Sequence, residues 1–359
     1  MMRFATRSAV AAALMIGASG CIPSNPGRIA SRPTVEPAPT AAPGTPPATE
    51  PQGDGVTALP SPPPAWEAKR VVPDARSVAP SSYVVRPGDT LRGIANLTGA
   101  GTEAIARANN LPPPFMIRAG QRLTIPGGRY HMVGKGESGI AIARAYGVDW
   151  SRIATANALT EPFILRAGQR ILIPVDAVPR SAAERAAAFQ LDIDDILTGG
   201  EPAIEPDARP APAVTSPRRV LPSTAAVAPP SADPGTLIWP VDGRVFKRFG
   251  AGDSGERNNG IKIAVPIDTP IAAAAAGTVA YVGTGVPGLG GVVIIRHGSG
   301  LTTVYGHASQ LLVQRGQAVK KGQKIALSGD TGYAERPAVH FEVRSGRTPV
   351  DPLSRLPRR

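Results

Sequence analysis

An internal repeat constrains this chain more than any other feature. Residues 83–126 align without gaps on residues 131–174 at a constant offset of 48 residues, and 19 of the 44 pairs are identical. Two copies of one unit of about 45 residues must each close their own small core. Within each copy a short strand (Val84, Val85) leads to Gly88-Asp89-Thr90, where Asp89 or Thr90 can cap a helix beginning at Leu91. Ile94 and Ala95 mark the buried face of that helix, a second helix runs from about Glu103 to Asn109, and a strand ending Leu-Thr-Ile-Pro closes the unit. The predicted order is βααβ, an α+β unit.

The rest of the chain divides around this pair. With 40 Pro and 40 Gly among 359 residues, one packed domain cannot account for the length. Residues 1–20 carry Arg3 and Arg7 ahead of an apolar run and small residues, the pattern of a secretory signal peptide. The single Cys of the chain, Cys21, follows directly, which excludes an intramolecular disulfide framework. The Ala18-Ser19-Gly20-Cys21 ending resembles a bacterial lipobox. That resemblance implies lipidation at Cys21 and, with Ile22 next, anchoring to the outer membrane of a Gram-negative cell on its periplasmic face; an ordinary cleaved signal with an incidental Cys is the other reading. Residues 21–82 are Pro-, Ala- and Thr-rich and are expected to form a disordered tether. A second Pro-rich linker is expected over 175–235, with one short helix at 181–198 that Ser181 and Glu184 would cap and whose face carries Phe189, Ile193, Ile196 and Leu197. The net charge of +12 is spread over all segments without interleaved aromatics, so no nucleic-acid partner is expected.

The repeats resemble the LysM module in Tyr83-x-Val85, Gly88-Asp89-Thr90-Leu91, Ile94-Ala95, Asn109-x-Leu111 and the closing Gly120-Gln121-x-Leu123-x-Ile125-Pro126. The second copy departs where Tyr becomes His131 and Asp-Thr-Leu becomes Glu137-Ser138-Gly139. The resemblance implies binding of N-acetylglucosamine-containing peptidoglycan strands in a shallow groove between the strand–helix loop and the second helix–strand loop. Carried over, it points to Gly88, Asp89, Thr90, Asn109 and Leu111, and in the second copy to Gly136, Glu137, Asn157 and Leu159. Capping of helices and turns is the alternative role for the Asp and Asn side chains. His131 is expected on a strand surface, with no second His near enough to make a metal site.

From residue 236 to 356 short β-branched runs alternate with Gly and Pro, which predicts a mainly antiparallel β domain. It resembles the LytM/M23 zinc peptidases in Trp239-Pro240-Val241-x-Gly243, Gly260-Ile261, Tyr305-Gly306-His307 and His340-Phe341-Glu342-Val343. Mapped residue by residue, the family's first two zinc ligands fall on Asn258 and Lys262, and the assisting His falls on Ala338. His307 and His340 keep their positions. A catalytic zinc needs about three protein ligands plus a water, so the resemblance is to a degenerate member with no catalytic residues and no zinc, His307 and His340 being vestigial. Asp253, Glu256 and Glu335 are the acidic residues available as replacement ligands; His297 falls outside the pattern and is expected to be structural.

Lipobox, two LysM modules, the degenerate LytM domain and the closing Pro352-Leu-x-x-Leu-Pro357 together resemble the NlpD-type amidase activators. The resemblance implies that a groove formed by Asn258, Lys262, His307, Arg336 and His340 binds a zinc N-acetylmuramoyl-L-alanine amidase and releases septal peptidoglycan cleavage. Two other readings stand beside it, an active endopeptidase with rearranged ligands and a passive wall-to-membrane tether. The acidic segment Ser181–Leu197 is further expected either to lie over the groove as an intramolecular lid, facing Lys262 and Arg336, or to pack elsewhere as a linker helix.

Overall fold

The computed structural model describes residues 63–174, 181, 191–216, 219–231, 233–251 and 257–359. The signal segment, Cys21, most of the tether, Glu184, Phe189, Asp253 and Glu256 lie outside the described residues.

Both repeats fold as their spacing predicts. Ahead of them stand a one-turn helix α1 (Ala65–Ala68) and strand β1 (Arg76–Val78). The first repeat is β2 (Ser81–Val84), α2 (Leu91–Thr98), α3 (Thr102–Ala108) and β3 (Arg122–Ile125), with β2 and β3 antiparallel. The second is β4 (Gly128–Met132), α4 (Gly139–Tyr146), α5 (Trp150–Ala156) and β5 (Arg170–Ile173), where β1 adds a third strand beside β4. Thr90 and Ser138 cap α2 and α4, accepting the N–H of Gly93 at 3.0 Å and of Ala141 at 3.1 Å. Leu91, Ile94, Ile105, Leu123 and Ile125 fill the first core, and Ile142, Trp150, Ile153, Leu165 and Ile171 the second. Each such side chain contributes ~1.5–3 kcal/mol relative to exposure.

The carboxyl-terminal domain is a sheet of strands β6 (Arg244–Lys247), β9 (Ile261–Ala264), β11 (Gly277–Val286), β12 (Gly290–Arg296), β13 (Leu301–Leu311), β14 (Ala318–Val319) and β16 (Ala338–Ser345) in the order β14-β11-β12-β13-β16-β9-β6. Beside it stand the small pair β7 (Gly250–Ala251) and β8 (Arg257–Asn258), β10 (Pro270–Ala272) with β15 (Lys324–Ser328), and β17 (Thr348–Val350) on β16. All these pairings are antiparallel, as the alternating runs predict. Its inner face packs Ile261, Ile263, Val293, Ile295, Val343 and the Tyr305–Phe341 ring pair, whose centroids are 5.4 Å apart.

The linkers depart from expectation. Residues 63–82 and 201–231 are not free tethers where they are described. Trp66 stacks on Tyr281 of the β domain at 5.7 Å, and Ala203, Ala226 and Val227 are buried. Helix α6 (Ile193–Gly199) is capped by Asp192 and Asp195 in a reciprocal box, and Leu191 and Asp192 are not helical, so the expected helix over 181–198 is interrupted before Ile193; residues 182–190 lie outside the described residues. Its Ile193, Ile196 and Leu197 share one cluster with Ile140 of the second LysM module and Tyr281, Val286, Val292, Ile294 and Val304 on the outer face of the sheet. The Trp150 indole lies between two glycines: a Cβ on Gly139 or on Gly199 would sit 2.6 or 2.7 Å from it, and its N–H donates to Thr198 Oγ1 at 2.9 Å. The replacement of Leu by Gly at position 139 therefore serves the seating of α6 against the module. Glu201, just past α6, binds Arg296 at 2.9 Å and Arg315 at 2.6 Å and accepts the Val227 N–H at 2.9 Å, so the linker is pinned to the β domain by a buried carboxylate.

Candidate functional site

The sheet register assembles the groove of the β domain. His340 on β16 stands opposite Lys262 on β9 and Gly306 on β13, which brings Lys262, His340 and His307 side by side. The result is a cleft of about 860 Å³ whose walls also include Asn258, Leu289, Tyr333 and Glu335. His307 adopts a left-handed backbone (φ 66°), held by its N–H to the Leu289 carbonyl at 2.7 Å. Its Nδ1 lies 2.8 Å from the Thr331 carbonyl and must therefore donate, leaving Nε2 as a buried acceptor with no partner among the described residues. Burial pushes the His307 imidazole down to about 4, against the pull of the Thr331 carbonyl and helped by His340 and Lys262. His340 Nε2 contacts Glu342 Oε1 at 2.9 Å, and its Nδ1 is likewise buried and without a partner among the described residues. The two rings meet edge to face at 5.9 Å.

Beneath them, burial would raise the Glu342 carboxyl, but His340 and Arg344 outweigh it and hold the group below the usual carboxylate range. Arg344 donates to Glu342 at 3.0 Å and to Asp194 of α6. His340, Glu342 and Arg344 recur every second residue along β16 and so share one face. That alternation is visible in the sequence and would have added Glu342 and Arg344 to the groove.

The other sequence-derived positions distribute unevenly. Asn258 is in the cleft, but its amide group donates to Arg248 and Gly260 carbonyls at 2.8 and 2.7 Å. Arg336 is not brought in; its guanidinium lies over the Phe246 ring at 5.0 Å, away from the cleft lining. Glu335 does not act as a spare ligand, because it sits between Lys247 at 3.2 Å and Lys262 at 3.6 Å. Ala338 is buried and faces Ala264 across the sheet. His297 is structural as expected, between the Ala276 carbonyl at 2.7 Å and Thr303 Oγ1 at 2.8 Å. Of the acidic segment, Leu191–Asp194 form part of the cleft wall while the body of α6 packs on the second LysM module and the outer sheet face, so α6 borders the cleft and does not cover it.

Zn²⁺ does not fit this donor set. The motif positions offer one imidazole nitrogen, an amide and an ammonium, and a lysine cation at a ligand position repels the metal. Among the described residues no group of three or more His, Cys, Asp or Glu converges.

In the LysM modules the predicted polar side chains are committed internally. Asp89 Oδ2 accepts the Tyr83 hydroxyl at 2.9 Å and the Arg86 N–H at 2.8 Å. Asn109 ties α3 to β3 through Ile105 and Thr124, and Asn157 ties α5 to β5 through Ile153 and Leu172. Leu111 packs partly buried on the first core and Leu159 on the second, while Gly88 and Gly136 take the left-handed turn at φ 86° and 79°. What remains for a ligand in the first module is the backbone of its two loops.

His131 is corrected from a surface residue to a buried one, 2% exposed. Its ring contacts Glu137 Oε2 at 3.0 Å and the Tyr146 hydroxyl at 3.0 Å, and Asp74 lies 3.3 Å away. The second repeat thus replaces the Tyr83–Asp89 pair of the first by His131–Glu137, the longer carboxylate reaching the shorter ring. Burial would raise Glu137, but the bonds from His131 and the Gly134 N–H keep it low.

Comparison with known proteins agrees with this division. The LysM domain family matches residues 83–126 and 131–174, and Peptidase family M23 matches residues 256–352. The murein hydrolase activator NlpD of Salmonella dublin is 31% identical over 299 residues, covering 80% of this chain and 71% of that protein. NlpD of Escherichia coli K12 is 30% identical over 292 residues, covering 79% of this chain and 69% of its own. The lipoprotein NlpD/LppB homolog of Pseudomonas aeruginosa is 45% identical over 137 residues, covering 38% of this chain and 44% of that relative's length.

Proposed function

The chain belongs to the NlpD family of murein hydrolase activators, and from that premise we propose that it is a non-catalytic activator of a zinc N-acetylmuramoyl-L-alanine amidase, held at peptidoglycan by its LysM modules. The observation that carries the reading is the groove itself: a peptidase-like cleft whose ligand positions hold an engaged amide and a lysine paired with Glu335. Without metal there is neither activated water nor a Lewis acid for a peptide carbonyl. The cleft instead offers two buried imidazole nitrogens, His307 Nε2 and His340 Nδ1, that a partner's hydrogen-bonding groups would satisfy. Lys262, Asn258, His307 and His340 are the residues a docked amidase segment would meet.

Cys21 would carry the lipid that fixes the chain to the outer membrane facing the periplasm, in keeping with the lipoprotein names of its relatives. The test is release of dye-labelled peptidoglycan from purified sacculi by the full chain alone, by the amidase alone and by both. The expected result is no release by the chain alone and a several-fold increase over the amidase when both are present. Release by the chain alone, with one zinc bound per chain, overturns the reading in favour of a peptidase; no effect in either arm leaves it a tether.

A further inference from the structure

The cleft of the second LysM module is already filled. Its walls are the loop 134–138 and the loop 163–168, and the chain's own residues Pro202–Ile204 run between them, Pro202 bridging to Ser138 on one wall and Ile204 to Arg166 on the other. On one wall Gly136 N–H donates to the Ala203 carbonyl at 2.9 Å, and Ala203 N–H donates to the Glu137 carbonyl at 2.6 Å. On the other, Ala167 N–H donates to the Ile204 carbonyl at 2.7 Å and Ile204 N–H donates to the Leu165 carbonyl at 3.1 Å. Ala203 is 2% exposed and belongs to the module's core cluster. Arg166 and Lys135 hold the strand's continuation through the Glu205 carbonyl and carboxylate.

The 48-residue offset supplies an internal control. The same four backbone groups of the first module are Gly88 N–H, Asp89 C=O, Ile117 C=O and Ala119 N–H, and among the described residues none has a protein partner. A Cβ added at Gly88 would meet nothing within 4 Å, whereas one at its counterpart Gly136 would touch Thr224 at 3.5 Å; Gly120 and Gly168 are alike in meeting nothing. One module presents an open backbone clamp, the other the same clamp closed on a peptide.

We infer that Glu201–Pro206 is a built-in competitor for the glycan cleft of the second LysM module, so that glycan enters that module only by expelling the linker. The inference rests on the glycan-binding reading of the modules. An acetamido group carries one N–H and one C=O, the same pair that Ala203 presents to Gly136 and Glu137, so peptide and amino sugar compete for identical groups. The tethered segment acts at an effective concentration in the millimolar range or above. Expulsion has a consequence at a distance, because the neighbouring Glu201 is the residue that binds Arg296 and Arg315 of the β domain. Glycan in the second module and the docked junction are therefore negatively coupled, and by linkage each weakens the other equally.

The experiment titrates the full chain and its Ala203→Pro/Ile204→Pro variant, which lacks both linker donors, with the hexamer of N-acetylglucosamine by calorimetry. The expected stoichiometry is one site for the native chain and two for the variant. Two equal sites in the native chain, or one in the variant, overturn the inference. No binding to either overturns the glycan reading and the competition with it. Hydrogen exchange on the native chain gives a second readout independent of the variant's folding. Ala203 and Ile204 amides are expected to be protected without sugar and to exchange at least tenfold faster at saturating hexamer. Exchange at free-loop rates without sugar, or unchanged protection with the second module occupied, refutes it.

Discussion

Removing the Glu201 carboxylate perturbs the junction at the point where its charges converge. Oε1 lies 2.9 Å from Arg296 and Oε2 2.6 Å from Arg315, with the three side chains 5%, 16% and 14% exposed. At an effective dielectric near 20, each charge pair at about 4 Å is worth ~4 kcal/mol, most of which desolvation cancels. Truncation reads a different quantity, the cost of leaving two mostly buried guanidiniums without a counter-charge. For Glu201→Ala that cost is ~3–5 kcal/mol. Glu201→Gln keeps the shape and an acceptor for Val227 but gives up the charge, at ~1.5–3 kcal/mol. Urea unfolding of the full chain followed by tryptophan fluorescence is the assay, since Trp66 and Trp150 both sit at this junction. The expected order of stability is native, then Gln, then Ala, with an early fluorescence change as the linker detaches. A shift below about 1 kcal/mol for Glu201→Ala would mean that hydrophobic packing by α6, and not Glu201, holds the modules together.

Gly199→Val is expected to destabilise by about 1–3 kcal/mol in the same assay, because its Cβ would stand 2.7 Å from the Trp150 indole; native-like unfolding refutes the sandwich. His131→Tyr and Glu137→Asp are each expected to destabilise, while the double variant rebuilds the pair of the first repeat, so a double-mutant cycle should show coupling of about 1 kcal/mol or more, and additivity refutes the exchange. Because the folded-state pKa of His307, about 4, lies below its ordinary 6.5, its contribution is complete above pH 6.5 and is lost as pH falls through 6.5 towards 4; melting temperatures of His307→Gln should lose that part of the acid slope. Elemental analysis should find no stoichiometric zinc in the native chain and uptake by Asn258→His/Lys262→Asp, in which His340 Nδ1 becomes the third donor; one tightly held zinc in the native protein refutes the reading of the donor set.

Modules were readable from sequence because each carries its own periodicity. The gapless repeat gave both βααβ units with Thr90 and Ser138 at their caps, and the alternation in Ala338–Ser345 gave the strand that brings His340 to the groove. What escaped is what has no periodicity. Pro202–Ile204 binds through backbone groups alone, so its side chains carry no signal, and an Ala- and Pro-rich stretch reads as unstructured on composition. His131 was misplaced because β4 buries Tyr130 and His131 in succession, breaking the alternation that strand reading assumes. The clue lay in the offset alignment, where Tyr→His and Asp→Glu change together, as do Leu→Gly at 139 and Thr→Trp at 150. Arg336 is adjacent in sequence to a groove residue, but it is drawn off by an aromatic ring that sequence proximity does not reveal.

The stacking of Trp66 on Tyr281 sets a load path. A chain pulled from its amino-terminal side while its first module is gripped transmits tension through residues 66–81, which means through the Trp66 ring and the three-residue β1–β4 pairing. Those pairs run antiparallel, so a patch of only three residues carries the load between the Trp66 stack and the first module. Under strain the chain would yield length at that patch first, lengthening its reach while the β domain stays folded.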